Sequence, residues 1–129
     1  MKNIIKLIEP VYQNRFLLNF PEEFGLDSYT VSKISPLKYK ADRGWKNIVI
    51  TLFDVTGVQA TKKLVESIGI GVNHLRTYMI EKIDPTGASA ERIFIDSNLV
   101  EIDFGKFDYA SEEWNSINLI IHPVRVIIQ

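Results

Sequence analysis

A chain of 129 residues with 46% hydrophobic and 24% charged residues has the size and composition of one compact domain and is too apolar for wholesale disorder. Its formal net charge of -1 argues against a nucleic-acid binder held by a broad basic face. It has no cysteine, which removes disulfides, thiolate nucleophiles and cysteine-based zinc sites and is compatible with assembly in a reducing cytoplasm.

In chain order, "MKNIIKLIEP" is too short and interrupted for a signal peptide or membrane span, so no membrane anchor is expected. Residues 1–12 read either as a frayed end or as an arm whose Ile4 and Ile5 are covered by another subunit. "NRFLLNF" predicts a half-buried strand with Phe16, Leu18 and Phe20 inward, stopped by Pro21. "SYTVSKI", residues 28–34, alternates again, with Tyr29 and Val31 against Ser28, Thr30 and Ser32. "NIVITLFDV" is β-branched and aromatic on both faces, so both faces should be covered. Between these strands, residues 36–46 form a basic loop or hairpin punctuated by Pro36 and Gly44. Its cations are either simply solvated or part of a contact arm with Tyr39, Lys40, Arg43 and Trp45, since two exposed aromatics are costly in a monomer.

"TGVQATKKLVESIG" predicts one helix, about 18 Å long, with Val58, Leu64, Val65 and Ile68 along its apolar stripe. Thr56 and Gln59 have capping-box spacing, and Gly69 suits the C-terminal stop. Beyond it, "YMIEKID" and "ERIFID" flank the turn "PTGASA" and predict a hairpin. "NLVEIDFGKFDY" places Val100, Ile102 and Phe104 on one face, with Glu101 and Asp103 on the other. The last strand, "INLIIHPVRVIIQ", contains Pro123, which suggests a bulge or an edge position. Without βαβ alternation, the expected fold is mainly β: one antiparallel sandwich or barrel over 1–129 with one flanking helix.

Catalytic and ligand-binding patterns are weak. Glu101 and Asp103 share a strand face, but alternation of acid with apolar residues is also what a solvated strand shows. Asp108, Glu112 and Glu113 read as the wet turn that follows, while the apolar residues of 101–113 are expected to build the subunit. His74 and His122 are each alone, without metal-ligand spacing. "GIGVN" follows a helix and lacks the third glycine of a dinucleotide cradle. No catalytic residue, metal or cofactor is expected, and no enzymatic activity. Two-sided apolar strands in so small a chain instead point to an obligate β oligomer, whose subunits pair strand edges that otherwise invite aggregation.

The stretch "IFIDSNLVEIDFGKFDYASEEWNSINLIIHPVRVII" resembles the closing segment of tail tube proteins of contractile-tailed bacteriophages. "NRFLLNF" is similar to their opening strand, and "WKNIVITLFDV" with "GVQATKKLVESI" to their middle, so the resemblance spans most of residues 13–128. It implies a tail-tube fold, homo-hexameric rings stacked into a hollow tube, a surrounding sheath protein, and baseplate and terminator partners. It further implies a virion-tail location after assembly in the host cytoplasm, and double-stranded DNA crossing the lumen without specific binding. On that basis Glu101 and Asp103 are candidate lumen-facing residues, and Ile4, Ile5, Tyr39, Lys40, Arg43 and Trp45 are candidate inter-ring or inter-subunit contacts. A tube initiator, terminator or baseplate protein on the same fold is the alternative, with a small β-barrel ligand carrier or enzyme behind it.

Overall fold

The computed structural model describes residues 15–55, 57–68 and 74–129. The arm with Ile4 and Ile5, the cap residue Thr56, Gly69 and the "GIGVN" stretch lie outside the described residues. Among the described residues, eight strands and one helix form, the strands being β1 (Phe16–Asn19), β2 (Val31–Ile34), β3 (Tyr39–Lys40), β4 (Gly44–Trp45), β5 (Ile48–Phe53), β6 (Arg76–Ile83), β7 (Ser89–Asp103) and β8 (Ser116–Ile128). The helix is α1 (Ala60–Ile68), and two 3-10 turns, Glu22–Phe24 and Ser28–Thr30, lie between β1 and β2. Six strands make one antiparallel sheet in the order β1-β6-β7-β8-β5-β2, and β3 pairs β4 in a small hairpin. The Ser28 hydroxyl reaches Asn19 Oδ1 at 3.5 Å, so the two sheet edges approach and the sheet curls into a nearly closed barrel. The mainly β fold with one flanking helix is therefore as expected, in its barrel form.

The core follows the strand period. Ile48, Ile50 and Leu52 of β5 face Ile117, Leu119 and Ile121 of β8, and all are buried. Leu18, Tyr78, Ile93 and Ile95 continue the inner face, and Phe24, Ala60 and Leu64 close one end over it. Burying each such side chain contributes roughly 1.5–3 kcal/mol. β5 also hides Thr51 on its other face, 8% exposed, in keeping with the two-sided covering its sequence predicts.

Four local expectations are corrected. β2 begins at Val31, not Ser28, because Ser28–Thr30 coils into a 3-10 turn in which the buried Thr30 hydroxyl donates to the Asp27 carbonyl at 2.7 Å. The helix starts at Ala60, after Gln59 at φ 56, so Gln59 stands outside it and cannot be the third residue of a capping box. Its nine residues span about 13.5 Å. Its buried stripe is Ala60, Leu64 and Ser67, whereas Val65 is 53% exposed; Ser67 can be buried because its hydroxyl lies 2.8 Å from the Lys63 carbonyl and 3.0 Å from that of Glu23. Finally, "ERIFID" and "NLVEID" are one strand of 15 residues, and Val100 lies outside rather than with Ile102 and Phe104.

The cause of that last change is a bulge. Leu99 pairs Ile121 and Glu101 pairs Ile120, which leaves Val100 with no partner and resets the inward positions to Leu99, Ile102 and Phe104. A second bulge at Val124, between the Asp96–Arg125 and Ser97–Pro123 pairs, realises the irregularity that Pro123 predicts.

An ion pair between a buried arginine and a partly exposed glutamate locks the end of the barrel. Arg76, 3% exposed, donates to Glu23 Oε1 at 2.8 Å and to the Ser67 carbonyl at 3.3 Å, and its guanidinium lies 5.4 Å from the centre of the Phe24 ring. β6, the first 3-10 turn and α1 thus meet on one side chain. Phe24 in turn packs edge-on against Tyr78, whose hydroxyl is pushed up by burial. Arg76→Ala should lower unfolding free energy by about 1–3 kcal/mol, because it leaves the Ser67 carbonyl without its donor and removes the packing on Phe24, while the partly exposed Glu23 carboxylate can be hydrated. Urea unfolding at neutral pH measures this, and a loss below ~1 kcal/mol would show that the lock is dispensable.

Candidate assembly surfaces

The long strands β7 and β8 run side by side from Ile93–Ile128 to Asp103–Asn118, and reciprocal 2.9 Å bonds between Arg92 and Gln129 extend the pairing. Their outer neighbours are shorter. β6 covers β7 only from Ser89 to Ser97, and β5 covers β8 only from Ser116 to Ile121. Among the described residues, β7 from Asn98 to Asp103 and β8 from His122 to Ile128 therefore have no ladder on their second side. Among the described residues, a 2.8 Å side-chain bond between His122 Nδ1 and Asn47 Oδ1 spans the start of the β8 gap, and β4 comes near β8. Among the described residues, alternate backbone groups along these half-edges have no strand to pair with, and Val124, Ile127 and Ile128 beside them are exposed.

The face of the sheet turned away from the core carries rows of cross-strand partners. Asp103, Asn118, Thr51 and Lys33 form one row across β7, β8, β5 and β2, with Thr51 Oγ1 donating to Asn118 Oδ1 at 2.7 Å. Glu101 sits in the next row, opposite Ile120. Both acids are exposed on the wall of an open groove of about 590 Å³ that also includes Lys33, Val49, Thr51 and Ile120. Neither has an ion-pair partner among the described residues, unlike Asp96, which Arg125 grips at 2.7 Å. No cluster of metal-ligating side chains occurs among the described residues, and His74 and His122 are apart and exposed.

The basic hairpin β3–β4 projects beyond the start of β5. Tyr39 stacks edge-on against Trp45 with ring centres 5.0 Å apart, and the Lys46 amide closes the hairpin on the Lys38 carbonyl at 3.0 Å. Tyr39, Lys40 and Arg43 are exposed, so the candidate contact residues of this arm are brought together on one projection.

At the other end of β5 lies a surface that residue periodicity does not reveal. Residues 104–115 link β7 to β8, and Phe107, Tyr109 and Trp114 there are 82% exposed or more. The apolar residues of this stretch were expected to build the subunit, yet among these aromatics only Phe104 packs on the core. The loop is nevertheless tightly tied. Asn115 Nδ2 donates to Asp54 Oδ2 at 2.9 Å and to the Phe104 carbonyl at 3.3 Å, and Asn115 Oδ1 accepts from the Lys106 amide at 3.2 Å. Asp103 and Asp108 each accept an amide two residues on at 3.0 Å, turns that favour aspartate over an apolar residue. Trp114 stacks edge-on against Phe53 at 5.8 Å. The sequence signal was the Asp-x-Gly and Asp-x-Ala spacing, which marks turns rather than a continuing strand.

No protein-family model matches this chain, and no curated protein matches it in sequence. Solved structures do. A chain of the sheath–tube complex of an extracellular contractile injection system, PVC, in its extended state superposes with a TM-score of 0.71, 14% identity and coverage of 100% of this chain and 97% of that one. The tube-terminating cap of the anti-feeding prophage, AFP, gives 0.68 at 16% identity, over 94% and 91% of the two chains. A chain of the AFP baseplate gives 0.62 at 14% identity, over 94% and 96%. At these identities the likeness establishes the fold: this chain has the architecture found in tube, cap and baseplate assemblies of contractile injection systems, in keeping with its tail-tube resemblance.

Two outcomes test these surfaces. Gly105 has φ 94, and a Cβ there would run into Asn115 Oδ1 and come within 2.7 Å of the Ser116 carbonyl. Gly105→Ala should release the Asn115 clamp and cost roughly 1–3 kcal/mol, read as a lowered urea midpoint together with increased amide exchange in 104–115. The Asp96 carboxyl is held below the usual carboxylate range by the Thr77 hydroxyl first and Arg125 second. Its stabilising effect is therefore complete above the unfolded value near ~4 and lost as pH falls through the lower folded value. Thr77→Val should raise the Asp96 titration midpoint in a carboxyl NMR titration; an unchanged midpoint would contradict the assignment of cause.

Proposed function

We propose that this chain is a structural, non-enzymatic subunit of a contractile tail or tail-like injection machine, forming stacked hexameric rings around a hollow tube. The observation that carries this is the pair of open half-edges on β7 and β8: strands already built in register, each lacking a ladder on one side for part of its length among the described residues. Pairing them between neighbouring subunits satisfies the backbone and covers Val124, Ile127 and Ile128 without any change of fold. The likeness to tube, cap and baseplate components supports the same assignment. In a phage tail the bore conducts double-stranded DNA without specific binding, and sheath, baseplate and terminator proteins are the partners. Assembly takes place in the host cytoplasm, and the protein ends in the virion tail.

Glu101 and Asp103 are assigned to the lumen. What supports this is that both are exposed on the solvent face of the curled sheet, without an ion-pair partner among the described residues, and that a wall free of strong basic patches lets phosphates pass. Ile4 and Ile5 are assigned to inter-subunit contacts because the short apolar run that contains them needs covering. Tyr39, Lys40, Arg43 and Trp45 are assigned to contacts between rings or subunits because they share one projecting hairpin. The second reading is a terminator or initiator that forms one ring without extending, favoured by the full-length likeness to the tube-terminating cap.

Negative-stain microscopy of the purified protein separates the two. Long hollow tubes are expected; single rings would favour the terminator, and monomers at high concentration would contradict both. Glu101→Lys with Asp103→Lys should leave assembly intact and impair DNA passage in reconstituted tails. Loss of assembly instead would reassign the pair to a subunit interface.

A further inference from the structure

A net charge near zero conceals two oppositely charged ends. The 36–46 hairpin carries Lys38, Lys40, Arg43 and Lys46 against Asp42, with Tyr39 and Trp45 stacked on each other. The β7–β8 connection carries Asp108, Glu112 and Glu113 against Lys106, with Phe107, Tyr109 and Trp114 exposed. β5 separates them. The hairpin ends just before Ile48, while the connection is bonded to the far end through the Asp54 amide and the Asn115 carbonyl at 3.1 Å. Along a six-residue strand that is a separation of about 20 Å.

We infer that the aromatic, acidic loop 104–115 of one copy is the docking surface for the basic hairpin 36–46 of a second copy. The inference deepens the tube proposal and rests on it, naming the surface that receives the hairpin when one ring seats on the next. Three nearly bare aromatics on a loop already fixed by Asn115, Asp103 and Asp108 form an apolar contact whose ordering cost is largely met beforehand. The acids around them disfavour phosphate-bearing partners and favour a cationic one. A cationic, aromatic surface of matching character is present on the same chain, where Lys40 and Arg43 can approach the faces of Phe107, Tyr109 and Trp114. Because the two surfaces differ and lie at opposite ends of one strand, their contact is head-to-tail. It leaves a free hairpin at one end and a free loop at the other, the condition for open-ended stacking rather than closure.

A charge-exchange series tests this. One variant reverses the hairpin (Lys38→Glu, Lys40→Glu, Arg43→Glu), one reverses the loop (Asp108→Lys, Glu112→Lys, Glu113→Lys), and a third carries both sets. Each single reversal should lower the sedimenting, stacked fraction at least ten-fold, and mixing the two should restore it, as should the double reversal. Stacking of the wild type should also weaken as salt rises. A loop-reversed chain that stacks like the wild type, or a mixture that stays unstacked, overturns the docking while tubes of the wild type leave the tube proposal standing. If the wild type forms no ring, the tube proposal fails, and association of the two reversed chains with each other in sedimentation velocity still decides the docking. Phe107→Ser with Tyr109→Ser, which leaves charge unchanged, should likewise abolish stacking; full stacking of that variant overturns the aromatic part of the contact.

Discussion

The ribbon formed by β7 and β8 is the constraint on which the rest depends. Its strands, 15 and 13 residues long, are about twice the length of β6 and β5 beside them. A barrel built on such a ribbon is staggered: β6 occupies one half of one side, β5 the opposite half of the other. The inner faces of Ile93, Ile95, Ile117, Leu119 and Ile121 then fill one core, and two stretches of β7 and β8 lack a second ladder among the described residues. The bulges at Val100 and Val124 fall where cover on one side gives way to cover on the other. There they bend the ribbon and keep apolar side chains inward on both halves.

Stability and assembly draw on different parts of this arrangement. The core and the Arg76–Glu23 lock lie toward the closed end, where β6, α1 and the first 3-10 turn converge. The half-edges, the hairpin and the aromatic loop lie outside the core, and each is held by local bonds of its own. Loss of a contact between copies therefore need not unfold the subunit.

Much of the fold was legible because strand alternation is a strong signal when one face is dry. β1, β5, β8 and the β6–β7 hairpin follow from it, and Pro123 announced its bulge. Val100 did not, since an apolar residue at an apparently inward position gives no sign that the register has slipped. The helix stripe was misread for a related reason. Val65 looks like core, but Ser67 takes the buried position through two carbonyl bonds that a hydropathy pattern cannot register. Arg76 was invisible because its partner is 53 residues away. At the candidate surfaces, the exposure of Glu101, Asp103 and the hairpin residues was readable, whereas the exposure of Phe107, Tyr109 and Trp114 depends on the Asn115 clamp folding the chain away from the core.

The central claim is that the uncovered halves of β7 and β8 pair between copies. Hydrogen exchange of backbone amides in dilute subunits and in the assembled state tests it most directly. The account predicts that amides within 98–103 and 122–128 gain protection on assembly, while those of β5 and the inner half of β8 are protected in both states. Equal, fast exchange of both half-edges before and after assembly would contradict it.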